Sequence, residues 1–116
     1  MKDIQVMDLF GPICVDSEAG AKLRDQIHGA LDRGETVCLD FSGVTTLVSA
    51  FLNTAVGCLY AFFGKDDLDR RLLWKGLDPT DEGVMRVVQR NAIRFYSAEE
   101  PQREALLSSS TRAMQE

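Results

Sequence analysis

The fold is decided by the stretch from residue 37 to residue 63, which reads VCLDFSGVTTLVSAFLNTAVGCLYAFF. The run Thr36–Phe41 is short, apolar and β-branched at its start, which is typical of a central strand covered on both faces. Ser42-Gly43 predicts a turn, and Ser49 is expected to cap a helix that continues through Phe63. This stretch therefore predicts a strand, a turn and a helix in succession.

The predicted second helix is apolar around most of its circumference. Two adjacent rows of apolar side chains recur at helical spacing, namely Phe51, Ala55, Leu59 and Phe62 in one row and Leu52, Val56 and Phe63 in the other. A face this wide indicates a helix that is deeply packed or packed on two sides. A homodimer formed through this face is one alternative.

The chain on either side of this unit continues the alternation of strands and helices. Before it, Ile4–Phe10 predicts an edge strand, Ile13–Val15 a short extended piece, and 16–33 a helix capped by Asp16 or Ser17 and closed by Gly34. After it come a charged connection at 65–70, a strand at 71–77 and a helix that Asp78 or Thr80 caps. The predicted buried face of that last helix is Val84, Val87, Val88, Asn91 and Phe95.

These elements predict an α/β fold in the order β-α-β-α-β-α, with a small mixed β-sheet and helices packed on it. We expect one domain over residues 1–97. The segment 98–116 is polar and weakly patterned, and the sequence predicts a mobile tail there.

The composition limits the classes of partner and the compartment. With a net charge of −5, the chain is a poor candidate for binding nucleic acid or an anionic membrane, and its charge suits a partner with a basic face. No signal peptide and no apolar run of membrane-spanning length is recognisable, and three widely spaced cysteines do not form a disulfide framework. A cytoplasmic location is therefore expected.

No motif in the chain predicts catalysis, a cofactor or a metal site. His28 is the only histidine, and the cysteines are not spaced as zinc ligands. Cys14 lies just before a helix and is the least implausible nucleophile, although a half-buried structural cysteine is the favoured interpretation. Asp40, near the carboxyl end of the predicted central strand, is either a ligand-site carboxylate or an acceptor for the backbone N–H groups of the following turn.

The stretch from Val37 to Phe51 resembles the signature of STAS domains, which occur in sulfate transporters and anti-sigma factor antagonists. Asp40 and Ser42 match the Leu-Asp-x-Ser end of the family's strand, and a bacterial STAS-like family of unassigned function is similar over residues 17–95. The resemblance implies a non-enzymatic domain that binds a GHKL-type ATPase or kinase. It also implies a phosphorylated serine at position 50, where this chain has Ala50, while Val48 and Phe51 replace the family's Asp and Gly.

The leading hypothesis is a protein-interaction module without catalytic activity. Its predicted partner-binding residues are Thr45, Thr46, Ser49, Ala50, Phe51 and Asn53. Ser49 is a candidate phosphoacceptor, because a helix N-terminus tolerates phosphate charge well, and Trp74 is either a contact residue or part of the core. The alternatives are a domain that senses a small ligand such as a nucleotide near Asp40, and a small enzyme that uses Cys14 or Asp40.

Overall fold

A three-stranded parallel sheet forms the centre of the fold. The computed structural model describes residues 1–97, and its sheet has the order β1 (Lys2–Gln5), β3 (Val37–Asp40), β5 (Leu72–Lys75). Side chains of β3 from Val37 to Leu39 are buried, and because neighbouring side chains of a strand point to opposite faces, both faces of this strand are covered. The predicted central strand and the predicted edge position of the first strand are therefore confirmed.

All described strand pairs are parallel, so the prediction of a mixed sheet is wrong in this respect. The pairs β1–β3 and β3–β5 are parallel, and so is a separate pair between β2 (Ile13–Cys14) and β4 (Thr46–Leu47). Parallel neighbours require a crossover between them, and the intervening segments supply it as helices. The α/β class, with one compact domain, stands as predicted.

The first predicted strand is shorter than expected. It ends at Gln5, and Val6–Phe10 forms a short helix, α1, instead of continuing the strand. Val6 is fully buried, and the ring of Phe10 packs edge-on against Phe51 with ring centroids 6.0 Å apart. The apolar residues at 6 and 10 are spaced by one helical turn, so they point to the same side of α1.

The helix α2 (Ser17–Asp32) follows the sequence prediction closely. Asp16 caps it, since its Oδ1 accepts a hydrogen bond from the Glu18 N–H at 2.8 Å. Gly34 follows the helix with φ +82°, as expected of the residue after a helix end. The side of α2 that faces the core is formed by Gly20, Leu23, Ile27, Ala30 and Leu31.

The second predicted helix is broken in the middle. It consists of α3 (Ser49–Ala55) and a 3₁₀ segment (Gly57–Ala61), joined at Val56, where φ is −115°. The N-cap is Val48 and no side chain caps the helix, so the prediction of Ser49 as the cap is wrong. Most of the wide apolar face lies inside the protein, because α3 packs on α2 and also on the last helix. Phe62, at the end of one row, is 65% exposed. Of this face, Phe62 and the half-buried Phe63 are left for a contact between two copies.

The charged segment after Gly64 is a helix, α4 (Lys65–Arg71), rather than an irregular connection. Ion pairs one helical turn apart stabilise it: Lys65 Nζ lies 2.8 Å from Asp69 Oδ2, and Arg71 lies 2.7 Å from Asp67. Arg71 also donates to the Leu31 carbonyl at 3.0 Å, which fastens α4 to the end of α2.

The last helix, α5 (Pro79–Ser97), is capped by Asp78, whose Oδ1 accepts from the Asp81 N–H at 2.8 Å. Its fully buried face is shifted by about one residue from the prediction. Met85, Val88 and Ala92 are buried, whereas the predicted Val87 and Asn91 are exposed.

The predicted mobile tail, 98–116, lies outside the described residues. None of the helices in the described part is long and apolar enough to cross a membrane.

Candidate functional site

The surface before α3 is held in place by backbone hydrogen bonds to a distant segment. The carbonyl of Pro12 accepts from the N–H groups of Thr45 at 2.8 Å and Thr46 at 3.1 Å, and from the Thr45 hydroxyl at 3.3 Å. The parallel pair of β2 with β4 continues this connection. The loop that precedes α3 therefore has a fixed shape before any partner binds.

Five of the six predicted partner-binding residues lie at the surface. Thr45, Thr46, Ser49, Ala50 and Asn53 are exposed, and together they form what we call the partner surface. Phe51 is fully buried, so its prediction as a contact residue is wrong. Its ring packs against Phe10, and its carbonyl oxygen faces Gly20 of α2, which places this side of α3 in the core.

An exposed apolar side chain that the sequence did not single out borders the partner surface. Ile13 of β2 is in register with Thr46 of β4, and 59% of Ile13 is exposed. Val15 is also exposed, whereas Cys14 between them is buried. Because side chains alternate along a strand, the neighbours of the buried Cys14 point outward. That alternation was the feature of the sequence that could have predicted the exposure of Ile13.

Asp40 sits where the carboxyl ends of the three sheet strands lie side by side. It is in register with Gln5 of β1 and Lys75 of β5, so an amide, a carboxylate and an ammonium group form a row across the sheet edge. The Asp40 Oδ1 accepts from the Ser42 N–H at 2.9 Å. Hydrogen bonds from Ser42, followed by the charge of Lys75, hold the pKa of Asp40 below its ordinary value.

Two loops approach each other closely at the Asp40 turn. Gly76 has φ +83°, and a Cβ there would lie 2.6 Å from the Ser42 nitrogen and 2.9 Å from Asp40 Oδ1. Only a residue without a side chain fits this contact. The turn-capping interpretation of Asp40 therefore describes its observed bonding, and Gly76 is the residue at this site that the sequence prediction missed.

A protein-family model matches the part of the chain that contains this arrangement. The family model of a STAS-like domain of unknown function, DUF4325, matches residues 19–82, which is more than half of the chain. The chain belongs to this family. The matched region of the STAS-like domain contains β3, the Asp40 turn, the partner surface and the beginning of α5. No curated protein and no solved structure matches the chain.

Cys14 of this STAS-like domain is buried, and His28 lies against Asp32. Burial raises the pKa of the Cys14 thiol, the opposite of what an activated nucleophile needs. His28 Nδ1 lies 3.0 Å from Asp32 Oδ2, and the His28 ring packs edge-on against Phe62 and Phe63. Within residues 1–97, no three His, Cys, Asp or Glu side chains are grouped as metal ligands.

Proposed function

We propose that this STAS-like domain is a non-enzymatic regulatory module that binds a protein partner at the partner surface. The observation that carries the proposal is that the exposed side chain of Ile13 lies beside Thr46. The loop before α3, which contains Thr46, is held in place by hydrogen bonds to the Pro12 carbonyl. An exposed apolar side chain with polar neighbours is the arrangement found at protein interfaces. A preformed loop also lowers the ordering cost of association.

The charge around this surface supports a partner with a basic face. Residues 3–21 and 34–64, which include β2, β4 and α3, contain no lysine and no arginine. Asp16 and Glu18 lie close after β2, and both are exposed. Complementary charge steers association and excludes partners of like charge.

The resemblance to anti-sigma factor antagonists makes a GHKL-type ATPase the first partner to test. Ala50 has no hydroxyl for the phosphate switch of those domains. The exposed Ser49 is the remaining candidate acceptor at this helix start, and phosphate there would add negative charge directly at the partner surface.

Recovery of a partner from the cells of origin tests this proposal. The wild-type chain, immobilised through a tag, is expected to retain one protein in stoichiometric amount, and Ala50→Arg is expected to lose it. Gln26→Arg adds the same charge on the exposed side of α2 and is the matched control, so it is expected to retain the partner. Absence of any stoichiometric partner, or equal recovery with Ala50→Arg, would contradict the proposal.

A second candidate function, the sensing of a small ligand, is favoured by the row formed by Gln5, Asp40 and Lys75. In parallel α/β sheets, ligands bind outside the carboxyl ends of the strands, where this row lies. A nucleotide or metabolite that binds there would raise the melting temperature of the wild type. The same compound should produce a smaller rise with Lys75→Ala, whereas an unchanged rise would place the ligand elsewhere.

A further inference from the structure

Charge is segregated along this chain. While residues 3–21 and 34–64 carry only acidic charges, the stretch of α5 from residue 83 to residue 97 carries only basic ones. The bases of that stretch are Arg86, Arg90 and Arg94, all exposed. One molecule therefore presents surfaces of both signs, although its net charge is −5.

The acidic segment 3–21 contains exposed apolar side chains. Leu9 and Val15 are each 45% exposed, Ile13 is 59% exposed, and these three lie within seven residues of one another. Exposed carboxylates flank them along the chain. We call this set the acidic strip; it comprises Asp8, Leu9, Ile13, Val15, Asp16 and Glu18.

The basic side contains a groove of about 430 Å³ between α5 and the segment from the 3₁₀ turn to α4. We call it the basic groove; it is lined by Tyr60, Lys65, Asp69, Arg86, Gln89, Arg90 and Ile93. Tyr60 and Ile93 supply apolar surface, and three cations face one carboxylate.

The cations of the basic groove are unequally paired. Asp69 holds Lys65 at 2.8 Å, and Arg86 stacks over Trp74 at 5.5 Å with Glu82 only at 3.8 Å. Arg90 has no ion-pair partner among the described residues. The groove thus offers an unneutralised guanidinium beside an apolar side chain, Ile93, one helical turn away.

We propose that the acidic strip of one copy of this chain docks into the basic groove of a second copy. Each surface combines apolar side chains with charges of a single prevailing sign, and the signs are opposite. Since the two surfaces consist of different residues, the contact is head-to-tail, and it extends into a chain or closes into a ring. It goes beyond the proposed function, because it names a second occupant for the area next to the partner surface.

Sedimentation velocity of the full chain tests this contact. At about 0.1 M salt the Debye length is about 10 Å, so distant charges are screened while contacts persist. Across about 10 μM to about 1 mM, a range that includes weak complexes, the weight-average mass is expected to rise above the monomer mass. The monomer mass is 12.9 kDa. A wild-type chain that stays monomeric throughout would overturn the proposal.

Two exposed substitutions make the test specific. Val15→Lys damages the acidic strip and Arg90→Glu damages the basic groove, so each variant alone is expected to form no chains. An equimolar mixture is expected to form a discrete pair of twice the monomer mass, because each variant keeps one intact surface. Far-UV circular dichroism verifies that both variants are folded, and Lys22→Glu is the control that leaves assembly unchanged.

The outcomes separate this contact from the proposed function. Variants that assemble as the wild type does, or a mixture that stays monomeric, would overturn the head-to-tail contact. A monomeric chain that still loses its partner through Ala50→Arg would leave the proposed function standing alone.

Discussion

At the scale of single residues, Gly76 has the tightest surroundings near the candidate site. Its φ of +83° and the short distances from a Cβ at this position to Ser42 and Asp40 impose two separate costs on any replacement. Gly34 has almost the same backbone angle, φ +82°, with nothing within 4 Å of the position of a Cβ. These two glycines therefore allow the cost of backbone strain to be separated from the cost of the clash.

We predict that Gly76→Ala lowers the free energy of unfolding by more than Gly34→Ala. Strain in this backbone region costs on the order of 1–3 kcal/mol for a residue with a side chain. Gly34→Ala should show that strain alone, and Gly76→Ala should add the displacement of the Asp40 turn. Urea unfolding measures both variants, and equal losses would contradict the observed packing of Gly76 on Ser42.

Asp40 should make stability depend on pH. Its pKa in the folded state is lowered by the Ser42 hydrogen bonds, so its contribution is present above the unfolded value of about 3.9 and is lost as the pH falls through the folded pKa. We predict that wild type is more stable than Asp40→Asn at pH 6 and that the difference narrows below about pH 4. A constant difference in urea midpoint from pH 6 to pH 3 would argue against this role.

At the scale of elements, the contact between α2 and α3 depends on a glycine. A Cβ at Gly20 would lie 2.7 Å from the Phe51 carbonyl oxygen, a backbone atom that cannot rotate away. The other glycine of α2, Gly29, would bring its Cβ only to 3.5 Å from the flexible end of Arg33. The same substitution in one helix thus meets opposite environments.

We predict opposite effects of alanine at these two positions. Gly20→Ala should lower the free energy of unfolding by about 1–3 kcal/mol, because overpacking forces the helices apart. Gly29→Ala should raise it by about 0.5–1 kcal/mol, because alanine loses less backbone entropy in a helix. Thermal and urea unfolding of both variants check this, and a stabilised Gly20→Ala would show that α2 and α3 are farther apart than described.

The sequence predicted correctly those elements whose apolar pattern fits only one type of secondary structure. Val37–Leu39 is continuously apolar and lies between helical segments, so a buried central strand was the simplest interpretation. At Val6–Phe10 the apolar residues suit both an alternating strand and one helical turn, and tertiary packing of Phe10 on Phe51 decides between them. The break at Val56 was not visible, because the helical periodicity continues through Gly57 to Phe63.

The site was predictable in position but not in orientation. The apolar pattern predicted a helix that begins at residue 49, as observed for α3, and turn chemistry gave the bonding of Asp40 as one of two alternatives. The burial of Phe51 agrees with its place in an apolar row of the predicted helix, although the same residue was also predicted as a contact residue. The proximity of Ile13 to Thr46 depends on a contact between segments more than 30 residues apart in sequence. A local pattern does not contain that information.

At the scale of the whole molecule, the apolar interior is one continuous cluster that includes side chains from both sheets and from the described helices. A domain with a single core is expected to unfold in one cooperative step. We predict that far-UV circular dichroism and the fluorescence of Trp74, the only tryptophan, give the same urea midpoint. Separate midpoints would mean that β5, which carries Trp74, unfolds independently of the helices.

The register of the parallel sheet also has a consequence for how the protein is made. Lys2 is paired with Val37, and Val37 with Leu72, so each ladder joins residues separated by the same long interval. During synthesis the first strand has no neighbour until β3 has left the ribosome, and folding that depends on such distant pairs is slow. The unpaired first strand carries the exposed side chains of Lys2, Asp3 and Gln5. Polar side chains of this kind disfavour pairing with a strand of another chain. We expect these polar side chains to lower the tendency of the unpaired first strand to aggregate.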